Sequence, residues 1–327
     1  MRPPRFWHQP AGLRAAFLAP LAAIWAGMAA HRLAKTPGYN PGVPVICVGN
    51  INAGGTGKTP ATIALLTRLA DRGAHVISRG YGGSITGPHR VDAAKNTAAD
   101  VGDEPLLMAA FAPVWVGRDR VASAKAAVDA GAKLLVLDDG FQNPGLVKTL
   151  SIVVVDAEIG FGNGRVMPAG PLREPIATGL ARADLVLAIG GASAQASLLS
   201  RAPELAAMPL ARGHLAPLST GLSFDKMRVI AFAGIGRPGK FFATLRKLGA
   251  NIIATHEFGD HAPLAPQMLT RMRIEAKAKN AMLVTTEKDA VRLPAAARAG
   301  VIALPVRLEL LDSAALDAAL SGLGLSD

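Results

Sequence analysis

The chain contains one cysteine, Cys47, among 327 residues. An intramolecular disulfide is therefore excluded, and the sequence fits a reducing compartment. Aromatic residues are also scarce, at 5% of the chain, whereas hydrophobic residues as a whole make up 50%. Such a composition argues against disorder, and it predicts a core built from alanine, valine, leucine and isoleucine.

Acidic residues are the minority charge. Lysine and arginine number 35 against 24 aspartate and glutamate residues, which gives a net charge of +11. This balance favours an anionic partner such as nucleic acid, an acidic membrane surface or a phosphorylated substrate. The basic residues are scattered and aromatic residues are few, so nucleic-acid binding is the least favoured of the three.

No uncharged apolar run reaches the ~20 residues that span a bilayer comfortably. The longest candidate, residues 15–30, is flanked by Arg14 on one side and by Arg32 and Lys35 on the other. Basic flanks around a short apolar run favour an interfacial or shallowly inserted helix, and we assign residues 1–35 to this membrane-associating segment. A core helix of the first domain remains the alternative, while a cleaved signal peptide is disfavoured by the charged residues that follow the run.

A glycine-rich segment lies between an apolar run at 43–48 and a helical pattern that begins after Pro60. Glycines let backbone N–H groups approach a polyphosphate, the lysine reaches its β and γ oxygens, and the threonine hydroxyl ligates Mg²⁺. The sequence therefore predicts a P-loop, although asparagine replaces its usual first glycine. The predicted nucleotide-binding residues are Asn52, Ala53, Gly54, Gly55, Thr56, Gly57, Lys58 and Thr59.

Apolar runs alternate with helical patterns from residue 43 onward, which predicts an α/β fold of the P-loop type with a mostly parallel sheet flanked by helices. The expected strands of the first series are 43–48, 74–78, 113–116, 133–137, 151–155 and 184–189. A second series starts at 228, with expected strands at 228–233, 250–255, 281–285 and 301–306 and a closing helix at 312–322. We place a P-loop core at 36–220 and a smaller α/β domain, closing over the active site, at 221–327.

Two acids, Asp138 and Asp139, end the apolar stretch that begins at Lys133. A P-loop protein carries its Mg²⁺-associated carboxylate at such a strand end. Neighbouring residues of a strand point to opposite faces, so one acid is expected to serve the metal and the other to hold the loop or contact substrate. The sequence leaves open which acid does which.

Further polar groups suited to phosphoryl transfer lie on predicted loops. Arg79, Arg165 and Arg173 have the charge to neutralise phosphate, and Asp103 or His261 has the chemistry to accept a hydroxyl proton. Each of these signals is weak when it is taken singly.

In their order along the chain, however, these segments resemble the tetraacyldisaccharide 4′-kinase family, the lipid A 4′-kinases. The resemblance runs from the N-terminal apolar segment into the second domain. Its segments are Val48-Gly-Asn50 with Gly54-Gly-Thr-Gly-Lys-Thr-Pro60, Ser78-Arg-Gly-Tyr-Gly-Gly83, Val101-Gly-Asp-Glu-Pro105, Asp138-Asp-Gly-Phe-Gln142, Pro168-Ala-Gly-Pro-Leu-Arg-Glu-Pro175, Phe232-Ala-Gly-Ile-Gly236, Asp260-His261 and Thr285-Thr-Glu-Lys-Asp-Ala290. Ala262 stands where the family commonly has a second histidine, and Asn52 is a departure from the usual P-loop that the family shares.

The resemblance implies transfer of the γ-phosphate of ATP, with Mg²⁺, to the 4′-hydroxyl of tetraacyldisaccharide 1-phosphate. It further implies action at the cytoplasmic face of a bacterial inner membrane, with Asp103 as base and His261 as its partner. We assign Lys58 to catalysis as well, and no obligate protein partner is evident. The metal is assigned to Thr59, Asp138 and Asp139, and the acceptor to Arg79, Tyr81, Arg173 and Glu174.

Two other classes of protein also contain a P-loop. A membrane-positioned P-loop ATPase switch is the runner-up, although many such switches carry a lysine where this chain has Ala53. A GTP-dependent metal-insertion protein is disfavoured because the sequence has neither a Cys/His cluster nor an Asn-Lys-x-Asp loop. The segment 285–289 ends a predicted strand and suits a contact to adenine.

Overall fold

The computed structural model describes residues 4–260, 262 and 264–325. Their strands form two sheets, and the larger one has nine strands in the order β13-β8-β7-β6-β1-β5-β2-β4-β3. Pairing in it is parallel except at the two edges, where β13 and β3 run antiparallel to their neighbours. Its strands are β1 Val45–Gly49, β2 Ala74–Ser78, β3 His89–Arg90, β4 Val114–Val116, β5 Leu134–Asp138, β6 Leu150–Asp156, β7 Leu185–Ile189, β8 Leu210–Pro217 and β13 Val306–Asp312.

The smaller sheet has four parallel strands in the order β10-β9-β11-β12. They are β9 Arg228–Ala233, β10 Asn251–Glu257, β11 Met282–Thr286 and β12 Val301–Leu304. Helices α8 and α9 supply the apolar residues of its two faces, including Phe242 on one side and Met272 on the other. We call β9–β12 with helices α8–α11 the smaller-sheet unit.

The helices lie between the strands, as expected for parallel pairing. They are α1 Leu13–Lys35, α2 Lys58–Arg68, α3 Ala98–Val101, α4 Asp103–Met108, α5 Arg120–Asp129, α6 Ile176–Leu180, α7 Ala192–Arg201, α8 Pro238–Lys247, α9 Pro266–Ala278, α10 Glu287–Arg292, α11 Ala295–Arg298 and α12 Ala314–Ser321. Short 3₁₀ helices cover Arg5–His8, Ala70–Arg72 and Pro203–Ala207.

The central strands are buried on both faces, which explains why they read as continuous apolar runs. In β1, Ile46 and Val48 pack into the core on one face of the sheet, while Val45 and Cys47 pack into the core on the other. Cys47 is fully buried, and burial raises the pKa of its thiol to about 12. The predicted α/β fold with a mostly parallel sheet is therefore confirmed.

The structure differs from the predicted organisation in the last part of the chain. The expected strand 301–306 ends at Leu304, and after Pro305 the chain enters β13, which pairs with β8 in the larger sheet. Leu308 of β13 and Leu316 and Leu320 of α12 are buried in the core of that sheet. The chain therefore returns to its first unit after building the smaller-sheet unit, because these apolar side chains need the larger core.

Helix α1 is longer than the uncharged run that predicted it. It leaves large apolar side chains in solvent, with exposed fractions of 86% for Phe17, 61% for Ile24 and 68% for Met28, whereas only Ala15 and Ala22 are buried. A core helix would bury such residues, so the core-helix alternative does not fit. Among the described residues α1 alone is long and apolar enough to cross a membrane, a criterion of length and composition only.

Candidate active site

The segment between β1 and α2 has the backbone of a phosphate-binding loop. Gly54 and Gly57 have φ angles of 123° and 93°, values that side chains disfavour. Helix α2 begins at Lys58, directly after Gly57, so the unpaired N–H groups of its first turn face the loop. Such a helix start binds anions through these N–H groups and through the helix dipole.

Two asparagines fix this loop from within the protein. The Asn50 amide donates to the carbonyl of Gly54 at 3.2 Å and to the Thr56 hydroxyl at 3.0 Å. The Asn52 amide donates to the carbonyl of Gly160 at 3.0 Å. Asn52 thus replaces the usual glycine because its side chain ties the P-loop to the loop that follows β6.

Lys58 and Arg173 meet at one carboxylate at the carboxyl end of β5. Lys58 Nζ lies 3.6 Å from Asp139 Oδ1, and the Arg173 guanidinium donates to both Asp139 oxygens at 2.8 Å and 3.2 Å. Burial alone would raise the pKa of Asp139, but the charges of Lys58 and Arg173 lower it to about 2. Asp139 is therefore a fixed anion that holds two cations beside the P-loop.

Asp138 has different surroundings. Its carboxylate is buried and accepts a hydrogen bond from the Ser78 hydroxyl at 3.2 Å. Burial, reinforced by the negative charges of Glu104 and Asp139, raises the pKa of Asp138 to about 7. Several negative charges lie close together here, and a bound cation would offset their repulsion.

Glu104 connects the P-loop to the smaller-sheet unit. Its Oε1 accepts a hydrogen bond from the Thr59 hydroxyl at 3.1 Å and one from Lys288 Nζ at 3.0 Å. The Lys288 pKa is raised because the negative charges of Glu104, Asp103 and Asp260 outweigh the opposite effect of burial. A cation from α10 therefore contacts the same oxygen as the predicted metal-binding threonine.

Asp103 lies at the start of α4 and is buried. One of its oxygens, Oδ1, accepts from the Glu104 backbone N–H at 2.9 Å, and the other, Oδ2, accepts from Arg292 Nε at 2.6 Å. His261, the predicted partner of Asp103, lies outside the described residues. Asp260, which precedes His261 in the sequence, lies 3.8 Å from Lys288 Nζ. The structure thus brings Asp103 to the same helix end as Glu104.

The predicted acceptor-binding residues occupy different environments. Arg79 and Tyr81 lie on the exposed loop after β2. Glu174, in contrast, is buried, and its oxygens accept hydrogen bonds from the Gln142 amide and from Arg182. Gln142 also accepts from Arg173 at 3.1 Å, so Glu174 reaches the site through Gln142.

Five residues at or beside the site were not predicted from the sequence, namely Ser78, Glu104, Gln142, Lys288 and Arg292. A signal existed for the last two, because they are four residues apart and therefore share one face of α10. In the segment 285–289, expected to suit adenine, Thr285 and Asp289 are buried and the three residues between them are partly exposed. Thr285 donates to the carbonyl of Phe232, and Glu287 pairs with Arg307.

A mostly parallel sheet, a P-loop at the carboxyl end of β1 and acids at the end of the adjacent strand define a P-loop nucleotide-binding protein. The family model described as LpxK, tetraacyldisaccharide-1-P 4′-kinase, matches residues 14–324. The chain belongs to this family, and it is therefore a kinase of lipid A biosynthesis.

Individual relatives agree with the family match. The tetraacyldisaccharide 4′-kinase of Dinoroseobacter shibae is 59% identical to this chain, with 99% of the chain and 98% of the relative covered. That of Rhodospirillum centenum is 51% identical over 99% of the chain and 97% of the relative. The crystal structure of LpxK from Aquifex aeolicus in complex with ATP has a TM-score of 0.76 and 25% identity, and the match covers 94% of this chain and 99% of that one.

Proposed function

We propose that this protein transfers the γ-phosphate of ATP to the 4′-hydroxyl of tetraacyldisaccharide 1-phosphate, with Mg²⁺ as cofactor. The observation that carries the proposal is the convergence of charged groups on the N-terminus of α2. Lys58 and Thr59 are there, Glu104 contacts Thr59, and Lys288 reaches the same oxygen from the smaller-sheet unit. The N–H groups and cations suit a polyphosphate, and the acids suit a metal ion and a hydroxyl proton.

Mg²⁺ fits the oxygen ligands beside Thr59. Within the described residues no group of three acidic, histidine or cysteine side chains is arranged to hold a metal by itself. Mg²⁺ suits such a site because it is usually bound by one or two carboxylates together with substrate phosphates and water. Thr59, Asp138 and Glu104 would hold it, and it would neutralise charge that develops on the transferred phosphoryl group.

Asp139 has a separate role in this proposal, although the sequence placed it among the metal ligands. Its oxygens are engaged by Arg173 and Lys58. We infer that it orients the P-loop lysine towards the β and γ phosphates and keeps Arg173 at the site. Glu174 supports Arg173 through Gln142, and Arg79 and Tyr81 are left to contact the acceptor.

Asp103 is proposed to accept the proton of the 4′-hydroxyl, with His261 as its partner. A carboxylate that is held at both oxygens has a fixed direction, which is what a base needs when the hydroxyl must be in line with the γ-phosphate. Gly236 of the smaller-sheet unit approaches Gly55 of the P-loop, so a Cβ at Gly236 would lie 4.0 Å from the Gly55 backbone nitrogen. This contact supports a site assembled from two units. The boundary between them lies near residue 220, and residues 306–325 belong with the first unit.

The acceptor is a lipid, and the exposed apolar side chains of α1 suit a membrane surface. We propose that α1 associates with the inner membrane at its cytoplasmic face, where ATP is available. No obligate protein partner enters the proposal.

The experiment that tests the proposal uses γ-labelled ATP, Mg²⁺ and the acceptor dispersed in detergent. A kinase moves the label onto the lipid, and omission of the acceptor stops the turnover. A P-loop ATPase switch, the second class of function, would release labelled inorganic phosphate whether or not the acceptor is present. That second outcome would refute the proposal.

A further inference from the structure

Arg292 joins the smaller-sheet unit to the acid that we propose as the base. Its Nε lies 2.6 Å and its Nη2 2.5 Å from Asp103 Oδ2. Both side chains are almost completely buried, with exposed fractions of 9% for Arg292 and 4% for Asp103. The two residues are 189 positions apart in the sequence.

The guanidinium is fixed on its opposite side by its own unit. Arg292 Nη1 donates to the carbonyl of Gly234 at 2.8 Å and to Asp289 Oδ1 at 2.9 Å. Asp289 is itself held, because it accepts from the Gly234 N–H and from the Thr286 hydroxyl. The Arg292 guanidinium is therefore held rigidly, and the side formed by Nε and Nη2 faces Asp103.

The Asp103 carboxylate lies close to other negative charges. Glu104 is the next residue, and a polyphosphate bound at the P-loop would add further negative charge beside it. The charged groups that face Asp103 in the described part of the chain include Arg292 and Lys288 from α10 and Glu104 from its own helix. Without a fixed cation, electrostatic repulsion would turn the carboxylate away from the phosphates.

We propose that Arg292 is a positioning residue that holds the Asp103 carboxylate in the direction needed to accept the acceptor's proton. This inference rests on the proposed function and adds to it a residue that acts only through Asp103. Because Arg292 belongs to the smaller-sheet unit, the base is directed correctly only when that unit is docked on α4.

The test compares Arg292→Met with Arg307→Met in the full-length protein. Arg307 is the control, because it also pairs with an acid, donating from Nη1 and Nη2 to the two oxygens of Glu287 at the start of the same helix, and it does not contact Asp103. We expect Arg292→Met to lower kcat about 10²-fold, the loss typical of a displaced catalytic group. The KM for ATP should stay within about threefold.

A double-variant cycle separates positioning from a purely structural role. In an Asp103→Asn background, Arg292→Met should cause no further loss of kcat, because the carboxylate through which Arg292 acts is absent. The asparagine also avoids leaving a buried, unpaired carboxylate when Arg292 is replaced. Arg307→Met should keep kcat within about threefold.

Three results would overturn the inference: normal kcat in Arg292→Met, an equal loss in the Asp103→Asn background, or an equal loss in Arg307→Met. Failure of the proposed function looks different. If Asp103→Asn alone keeps its full kcat, Asp103 is not the base. If Asp103→Asn is inactive while Arg292→Met is normal, only the role of Arg292 fails.

Discussion

Asp138 and Asp139 are adjacent in the chain, but their side chains lie in environments of opposite charge. Asp138 faces Ser78 and the acid Glu104, whereas Asp139 faces the cations Lys58 and Arg173. Asp139 has a φ angle of 48°, a left-handed conformation that turns the chain directly after β5. This turn separates the two carboxylates, so that one is available to a metal ion while the other holds the lysine and the arginine of the site.

The first prediction concerns the pH dependence of metal binding. The pKa of Asp138 is raised to about 7 from an ordinary value of 3.8, so its neutral form is favoured in the metal-free fold. Mg²⁺ requires the ionised form, and its binding should therefore displace a proton below about pH 7. Affinity should rise by up to about tenfold per pH unit towards pH 7 and then level off.

Titration with Mg²⁺ in the presence of ATP, in buffers of different ionisation enthalpy, measures both affinity and proton release. Asp138→Asn is the control, since protonation of the nucleotide is common to both proteins. Equal pH dependence in the two would contradict the proposed role of Asp138. Without metal, the effect of pH on folding stability has the opposite direction to its effect on Mg²⁺ affinity. The Asp138 carboxyl of the unfolded chain ionises at lower pH than that of the folded protein, so the free energy of unfolding should fall as pH rises from about 4 to about 7.

Lys58→Ala and Thr59→Ala should each abolish turnover while leaving the fold intact. Each removes charge or metal stabilisation that is concentrated in the transition state, with an expected loss of ~10²-fold or more. Thr67→Ala, on the same helix, is the control, because its hydroxyl donates to the carbonyl of Ile63 and lies at the far end of the helix from the P-loop. Steady-state rates with circular dichroism check the prediction, and a near-normal rate in either P-loop variant would refute it.

Asp103→Ala and His261→Ala should have non-additive effects. A carboxylate and an imidazole that move one proton act as a unit, so the double variant should be little slower than the slower single variant. ATP binding, measured separately, should change much less than kcat. If the two losses in kcat simply multiply, the residues have independent roles.

Deleting residues 1–35 should release the protein from membranes, because the exposed apolar residues of α1 are removed. The structure adds a second consequence. Trp7 Nε1 donates to the carbonyl of Pro168, and the Trp7 carbonyl accepts from the Asn163 N–H, so the deletion also removes support from the loop that leads to Arg173. Activity towards acceptor in detergent should fall but remain measurable.

The double variant Phe17→Ser with Ile24→Ser is the matched control, since it changes the exposed face of α1 and leaves Trp7 in place. It should lose flotation with liposomes and keep the activity that the deletion loses. A deletion that floats like the full-length chain would show that the protein is anchored elsewhere.

The parts of this protein that were predicted from sequence are those set by local pattern. The P-loop and the buried central strands have continuous signals, because glycine spacing and apolar runs report directly on backbone and burial. Strand β8 was not predicted, and the predicted strand 301–306 covers β12 and only the first residue of β13. Strands β8 and β13 lie towards one edge of the larger sheet, where burial is partial and the apolar pattern is correspondingly weak.

The pairing of residues across the two units could not be predicted for a different reason. Arg292 and Lys288 are visible as neighbours on a helix, but nothing local says that they meet Asp103 and Glu104 on a distant one. Likewise, Asp138 and Asp139 have equivalent chemistry in the sequence, and only their partners in the folded protein distinguish them. Contacts between distant segments depend on the packing of whole units.

The central claim, phosphoryl transfer to the 4′-hydroxyl, is tested most directly by the structure of the product. Phosphorus NMR and mass spectrometry of the lipid recovered after reaction with Mg²⁺ and ATP locate any new phosphate. We predict a bisphosphorylated disaccharide whose second phosphomonoester is on the 4′-oxygen, formed by the wild-type protein and not by Lys58→Ala. Recovery of unmodified acceptor together with ADP and inorganic phosphate would contradict the account.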